Sequence, residues 1–254
     1  MPRSIYILIV LSSFLLFFYS CNSPSAWDPF KVRGATISET HILSPFTILD
    51  VYDKIDVYYK QDTTSSSYSI QIVTGKNLLP NISTEISGGV LKIKNKNEFN
   101  FLRGAHNGVT VYVTTPFIGK IIQDGVGTIY CSNTITHTST HTQDTLSYQI
   151  KNSGDMHLNV NVQSMKGSIY GVGDIYLNGI CPHHEVYASG ECFINALNLV
   201  TGYSFVDYNS TGQAHVYVTG QLDAVINSTG TIYYSGGVTV VNKSGTGTGK
   251  LIPN

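Results

Sequence analysis

Three carboxylates in the second half of the chain, Asp155, Asp174 and Glu191, each follow a glycine by one residue and stand 19 and 17 residues apart. Carboxylates repeated at that interval could ligate a cation such as calcium, which wants several oxygen ligands. They could also form a glycosidase-like pair, whose retaining version needs about 5 Å between carboxyls. Polysaccharide lyases of the β-helix type need a basic residue beside the acidic cluster, and arginine occurs here only as Arg3, Arg33 and Arg103, outside the repeated segment. The carboxylates therefore read as side chains splayed into water at a turn, where like charges cost little. The one cluster of metal-type side chains is Cys181-Pro-His183-His184-Glu185. Adjacent strand residues point to opposite faces and no tetrahedral zinc spacing is present, so a corner loop is expected. His137 and His141 fall in a threonine-rich run over residues 134–145; β-branched threonines disfavour a helix that would bring them together. No catalytic residue, metal or cofactor is expected.

A different set of side chains recurs more completely. Six near-superposable segments start at Gly127, Gly154, Gly173, Gly190, Gly212 and Gly230, with a degenerate seventh at Gly247. From each glycine to the next the steps are 27, 19, 17, 22, 18 and 17 residues. The third residue after each of the six glycines is a ring: Tyr130, His157, Tyr176, Phe193, His215 and Tyr233. Strand neighbours stack about 4.8 Å apart, so this file of rings is the candidate binding stripe. It suits sugar rings, an apolar protein surface, or the same file on a second copy.

What positions such a file is a strand repeated around a fixed anchor. The second and fourth residues after each glycine are apolar (Ile129/Cys131, Met156/Leu158, Ile175/Leu177, Cys192/Ile194, Ala214/Val216, Ile232/Tyr234) while the first is polar throughout, the pattern of a half-buried strand. Irregular steps around a constant core pattern are what a β-solenoid tolerates, because insertions bulge from one corner while strands keep stacking. The expected fold is all-β, a single-stranded parallel β-helix with irregular coils of about 17–27 residues. Glycine at each corner is expected to supply a positive φ. Further strands read at residues 46–51, 55–59, 68–73, 90–94 and 109–115, which we take as opening coils and cap. The organisation is then a leader over 1–21, a tether over 22–31 and one domain over 32–254, with 32–115 opening it and 116–254 carrying the glycine repeats.

The chain starts with Arg3 and an apolar stretch over residues 5–19, too short for a comfortable span, ending in Phe18-Tyr-Ser-Cys21. This resembles a bacterial lipoprotein box with Phe in place of the usual Leu, and it makes Cys21 the expected lipidation site and the acyl chain the membrane anchor. Net charge is −1, from 15 basic and 16 acidic residues, so nothing in the composition favours nucleic acid. The densest basic group, Lys92, Lys94 and Lys96, is one strand face. Cys131 and Cys192 fall three coils apart, roughly 14 Å at strand spacing, beyond disulfide reach, and are expected as free buried thiols.

Several segments together, Val51-Tyr-Asp-Lys-Ile-Asp-Val57, Leu91-Lys-Ile93, Val111-Tyr-Val-Thr-Thr-Pro116 and the run from Leu222 to Gly237, resemble the putative auto-transporter adhesin, head GIN domain, family over roughly residues 34 to 250. That resemblance implies a right-handed parallel β-helix on an exported bacterial protein and brings no catalytic residues with it. The resulting expectation is a lipid-anchored, non-catalytic, adhesin-like protein of the outer membrane, on its periplasmic or cell-surface side. Its ligand would be a glycan or a protein. The alternative is a structural envelope protein that self-associates into homo-oligomers; a β-helix carbohydrate-active enzyme fits less well.

Overall fold

The computed structural model describes residues 32–98, 108–137 and 145–254. The leader with Cys21, the tether to residue 31, and His141 lie outside the described residues. Within them the chain is all-β, 65% strand, with no α-helix and a single 3-10 turn at Leu79–Asn81.

Seven strands precede the repeats: β1 (Thr36–Leu43), β2 (Ile48–Asp53), β3 (Ile55–Gln61), β4 (Tyr68–Gly75), β5 (Ile82–Ser87), β6 (Val90–Asn95) and β7 (Val109–Thr115). Thirteen follow: β8 (Lys120–Gly125), β9 (Ile129–Cys131), β10 (Ile135–Thr136), β11 (Thr145–Ile150), β12 (Met156–Asn161), β13 (Ser164–Ile169), β14 (Ile175–Ile180), β15 (His183–Gly190), β16 (Ile194–Ser210), β17 (Gln213–Ile226), β18 (Thr231–Ser235), β19 (Val240–Ser244) and β20 (Leu251–Pro253). The sequence pattern locates β2, β3, β4, β6 and β7 to within a few residues. It misses β1, β5, β8, β10 and β19. β1 exposes six of its eight residues, so it carries no period-2 core signal to read.

All twenty strands belong to one open sheet. Two parallel ladders run through it. One joins β3, β9, β12 and β14 to the first half of β16, then to the first half of β17, to β18 and to β20. The other joins β2, β8, β11, β13 and β15 to the second halves of β16 and β17 and to β19. The two long strands cross from one ladder to the other. Among the described residues antiparallel pairs occur only at the amino-terminal end, β1 with β4, β4 with β7 and β5 with β6.

Alternation then places the core. Ile129, Met156, Ile175, Ile194, Ala214 and Ile232 occupy one inward column and are all 0% exposed. Burying a side chain of Ile or Met size contributes roughly 1.5–3 kcal/mol, and here each is covered by the rung above and below it. The column advances by 19 residues from Met156 to Ile175 and from Ile175 to Ile194, by 20 to Ala214, and by 18 to Ile232.

That register corrects three sequence expectations. The fourth and seventh anchors are displaced: Ile194 pairs with Ile175, and Leu251 with Ile232, so Cys192 and Gly249 hold the anchor positions rather than Gly190 and Gly247. Apart from the 27-residue step from Ile129 to Met156, the uneven steps arise from those two slips. Of the seven glycines expected as positive-φ corners only Gly190 is one, at 113°, and in the observed register it is not an anchor; another positive φ falls at Gly179, at 110°. The anchors are glycine because a Cβ at Gly154 would strike the carbonyl oxygen of Gly127, and one at Gly173 that of Gly154: backbone passes directly over backbone. The third correction is Cys181-Pro-His183-His184-Glu185, expected as a loop, of which His183 onward is strand β15.

Candidate functional site

The residues after each inward column residue point outward, and it is here that the rings assemble. Register places Tyr58 of β3 beside both Tyr112 of β7 and Tyr130 of β9, then His157 of β12 and Tyr176 of β14. Tyr112 and Tyr58 have centroids 5.3 Å apart with planes at 20°; Tyr58 and Tyr130 are at 5.2 Å and 19°. Tyr130 and His157 follow at 4.9 Å and 23°, and His157 lies on Tyr176 at 4.3 Å and 3°. Five rings are thus stacked without interruption. Each contact adds roughly 0.5–1.5 kcal/mol beyond area burial, which fixes the rings as a rigid strip. Tyr112 is 42% exposed and the other four are half-buried.

Beyond Tyr176 the file breaks. Asn195 takes the next position, paired with Tyr176 below and His215 above. His215 and Tyr233 then form a second stack at 4.7 Å and 11°. Phe193, expected in the file, lies two residues before Asn195, is 43% exposed and stacks on none of these rings. The cause is the anchor slip, since counting from Cys192 instead of Gly190 brings Asn195 into line. Tyr58 and Tyr112 were invisible to the repeat because no glycine precedes them in register. The available signal was alternation in Ile55-Asp-Val-Tyr-Tyr59, which turns Tyr58 outward.

The titration chemistry of the file is muted. Burial between two tyrosines lowers the pKa of His157 against the pull of Asp155, and burial raises that of the Tyr176 phenol. A neutral imidazole packed between phenol rings presents a flat surface with little charge.

Two of the three sequence carboxylates do come together, and their oxygens are used. Asp155 Oδ1 accepts from the Asp174 backbone N–H at 2.8 Å, and Asp174 Oδ1 accepts from the Phe193 N–H at 2.8 Å. Asp56 Oδ1 accepts from the Thr128 N–H at 3.0 Å. Each aspartate ties its rung to the next. Desolvation raises the pKa of Asp174, the Phe193 N–H works against it, and the charge of Asp155 adds to it. Glu191 is not the third member, because Phe193 occupies that position. Among the described residues no group of three or more His, Cys, Asp or Glu side chains could hold a metal ion.

The Cys181 to Glu185 cluster splits across β15. His184 is fully buried with Nε2 3.0 Å from Tyr148 Oη, while His183 is exposed, 3.2 Å from Glu185 Oε1 and stacked on Tyr203 at 4.7 Å. A second outward cluster that the sequence reading missed surrounds it. Lys166 pairs with Glu185 at 3.2 Å and lies 5.3 Å from the Tyr187 ring, and Tyr203 Oη donates to Asp223 at 2.9 Å. Its signal was the alternation of rings and charges along residues 183–187 and 203–207.

The family described as "Putative auto-transporter adhesin, head GIN domain" matches residues 45–237. A crystal structure of a putative adhesin from Bacteroides fragilis NCTC 9343 superposes with a TM-score of 0.72 at 21% identity, covering 87% of this chain and 97% of that one. A putative lipid binding protein from Parabacteroides distasonis ATCC 8503 superposes with a TM-score of 0.64 at 20% identity, covering 87% and 97%. A putative adhesin from Parabacteroides merdae ATCC 43184 gives 0.59 at 19% identity, covering 87% and 98%. At these identities the likeness is one of fold. None of the curated proteins matches this chain.

Proposed function

Because the chain belongs to the head GIN domain family of putative auto-transporter adhesins, we propose that it is an exported, non-catalytic binding protein of the cell envelope, whose contact surface is the ring file. The observation that carries this reading is the uninterrupted stack from Tyr112 through Tyr58, Tyr130 and His157 to Tyr176. Five aligned rings on an outward sheet face form a preordered, amphipathic surface whose contacts with a glycan or protein cost little side-chain entropy. In this reading the two parallel ladders are sides of a right-handed parallel β-helix, supported by register steps of 18 to 20 residues on consecutive rungs. Cys21 is the lipidated residue that tethers it to the outer membrane. Among the described residues no helix is long and apolar enough to cross a membrane.

The test is binding of the protein and its Tyr176→Ala and Phe193→Ala variants to a glycan array and to envelope proteins. Tyr176→Ala should weaken binding while lowering the melting temperature by only about a few degrees, the loss of one stacking contact, and Phe193→Ala should be silent because it lies outside the stack. Equal effects of the two substitutions would remove the file as the contact surface. A second reading, end-to-end self-association, is favoured by β19, which pairs on one side only and exposes Val240 and Val241 at 45% and 40%. Sedimentation at increasing concentration separates it from the first.

A further inference from the structure

On the ladder opposite the ring file, side chains of unequal size leave a recess of about 230 Å³. Its origin is legible in the register. Ile169 pairs with Ala188, so Tyr170 stands beside Ser189; Ser189 pairs with Asn209, and Tyr208 with Ile226, so Asn227 comes next. The outward file therefore runs Tyr170, Ser189, Asn209, Asn227, with the smallest side chain between two larger ones. Two residues earlier along the strands, Tyr187 pairs with Asp207 and forms the side wall.

The lining groups are available for a ligand. Tyr170 is 59% exposed. Among the described residues the side chains of Ser189, Asp207 and Asn209 make no hydrogen bond, and the Asn227 side chain makes one, accepting from the Thr246 N–H at 3.2 Å. Lys166 lies over the Tyr187 ring without lining the recess, so Asp207 is its one charged wall.

We propose that this recess binds one neutral pyranose residue of a glycan, its apolar C–H face on Tyr170 and its hydroxyls on Asp207, Asn209 and Asn227. Three features select that class. An exposed ring beside a carboxylate and two amides matches a sugar, which has an apolar face and a rim of hydroxyls that both donate and accept. The volume is below the roughly 300–1,000 Å³ usual for drug-sized ligands, which suits a single ring. The unpaired carboxylate repels uronic and sialic acids. This site is separate from the ring file and does not rest on it.

The experiment is saturation-transfer NMR and titration of the purified full chain with methyl glycosides of neutral hexoses, with methyl glucuronide as the acidic comparison. Neutral glycosides should bind in the millimolar range, as befits one shallow subsite, and the glucuronide should bind about tenfold more weakly or not at all. Ser189→Trp, which fills the recess, and Asp207→Asn, which preserves its shape, should each weaken binding by about tenfold or more, while Phe193→Ala, outside both the recess and the ring file, leaves it unchanged. Circular dichroism confirms that each variant is folded. The proposal is overturned if no neutral glycoside binds, if binding survives both recess variants, or if the glucuronide binds equally well. Loss of binding in Tyr176→Ala alone would also overturn it, and would move the sugar to the ring file.

Discussion

His184 should make the fold acid-sensitive. Its imidazole is 0% exposed, held by Nε2 against Tyr148 Oη at 3.0 Å, and its Nδ1 has no partner among the described residues. Burial, with a smaller contribution from His183 and against the pull of Glu185, lowers its pKa from 6.5 to about 4. Below pH 6.5 the unfolded chain takes up a proton that the folded chain refuses, so stability falls as the pH drops from 6.5 toward 4 and is fully present above 6.5. At 1.36 kcal/mol per unit, that window corresponds to a loss of about 3 kcal/mol. Carboxylates also titrate near its lower end, so the measurement is a difference between wild type and His184→Gln, in which the amide can still reach Tyr148. Urea denaturation at intervals from pH 7.5 to 4 should show the wild type losing about 3 kcal/mol more than the variant. Parallel pH dependences for the two proteins would refute the argument, because they would mean that His184 gains a proton equally well in both states.

Gly167→Ala should destabilise the fold by about 1–3 kcal/mol, read from the denaturation midpoint, because a Cβ there would enter the Tyr148 ring. The cysteines should label slowly with iodoacetamide in native buffer and fully in denaturant: Cys131, Cys181 and Cys192 are free thiols, and burial pushes the pKa of Cys131 and Cys181 up to about 12. Rapid native labelling of Cys181 would place that thiol at the surface.

How far each level of structure is readable depends on the range of the interaction that sets it. Alternation is local. It follows from the pleat of a single strand, so the inward residues from Ile129 to Ile232 and the outward direction of Tyr130, His157, Tyr176, His215 and Tyr233 could be assigned from the chain alone, as could the all-β class. The strand β1 escaped because, packed on one edge and largely exposed, it needs no apolar alternation.

Register between rungs is set by backbone hydrogen bonds to residues about nineteen positions away, and side-chain identity reports it only indirectly. Glycine was a useful proxy for the anchor because that backbone lies against the backbone of the preceding rung, yet Cys192 takes the position without being glycine, and counting from the nearest glycine put Phe193 into a file that Asn195 occupies. The same long-range pairing brought Tyr58 and Tyr112 onto Tyr130, sent Asp155 and Asp174 to backbone N–H groups of the next rung, and opened the recess above Ser189 by setting a small side chain between Tyr170 and Asn209. The sequence by itself determined which residues face in and which face out, because the pleat is a property of one strand. Which outward residues become neighbours was decided only in the tertiary structure, because stacking depends on how one rung is laid over the next.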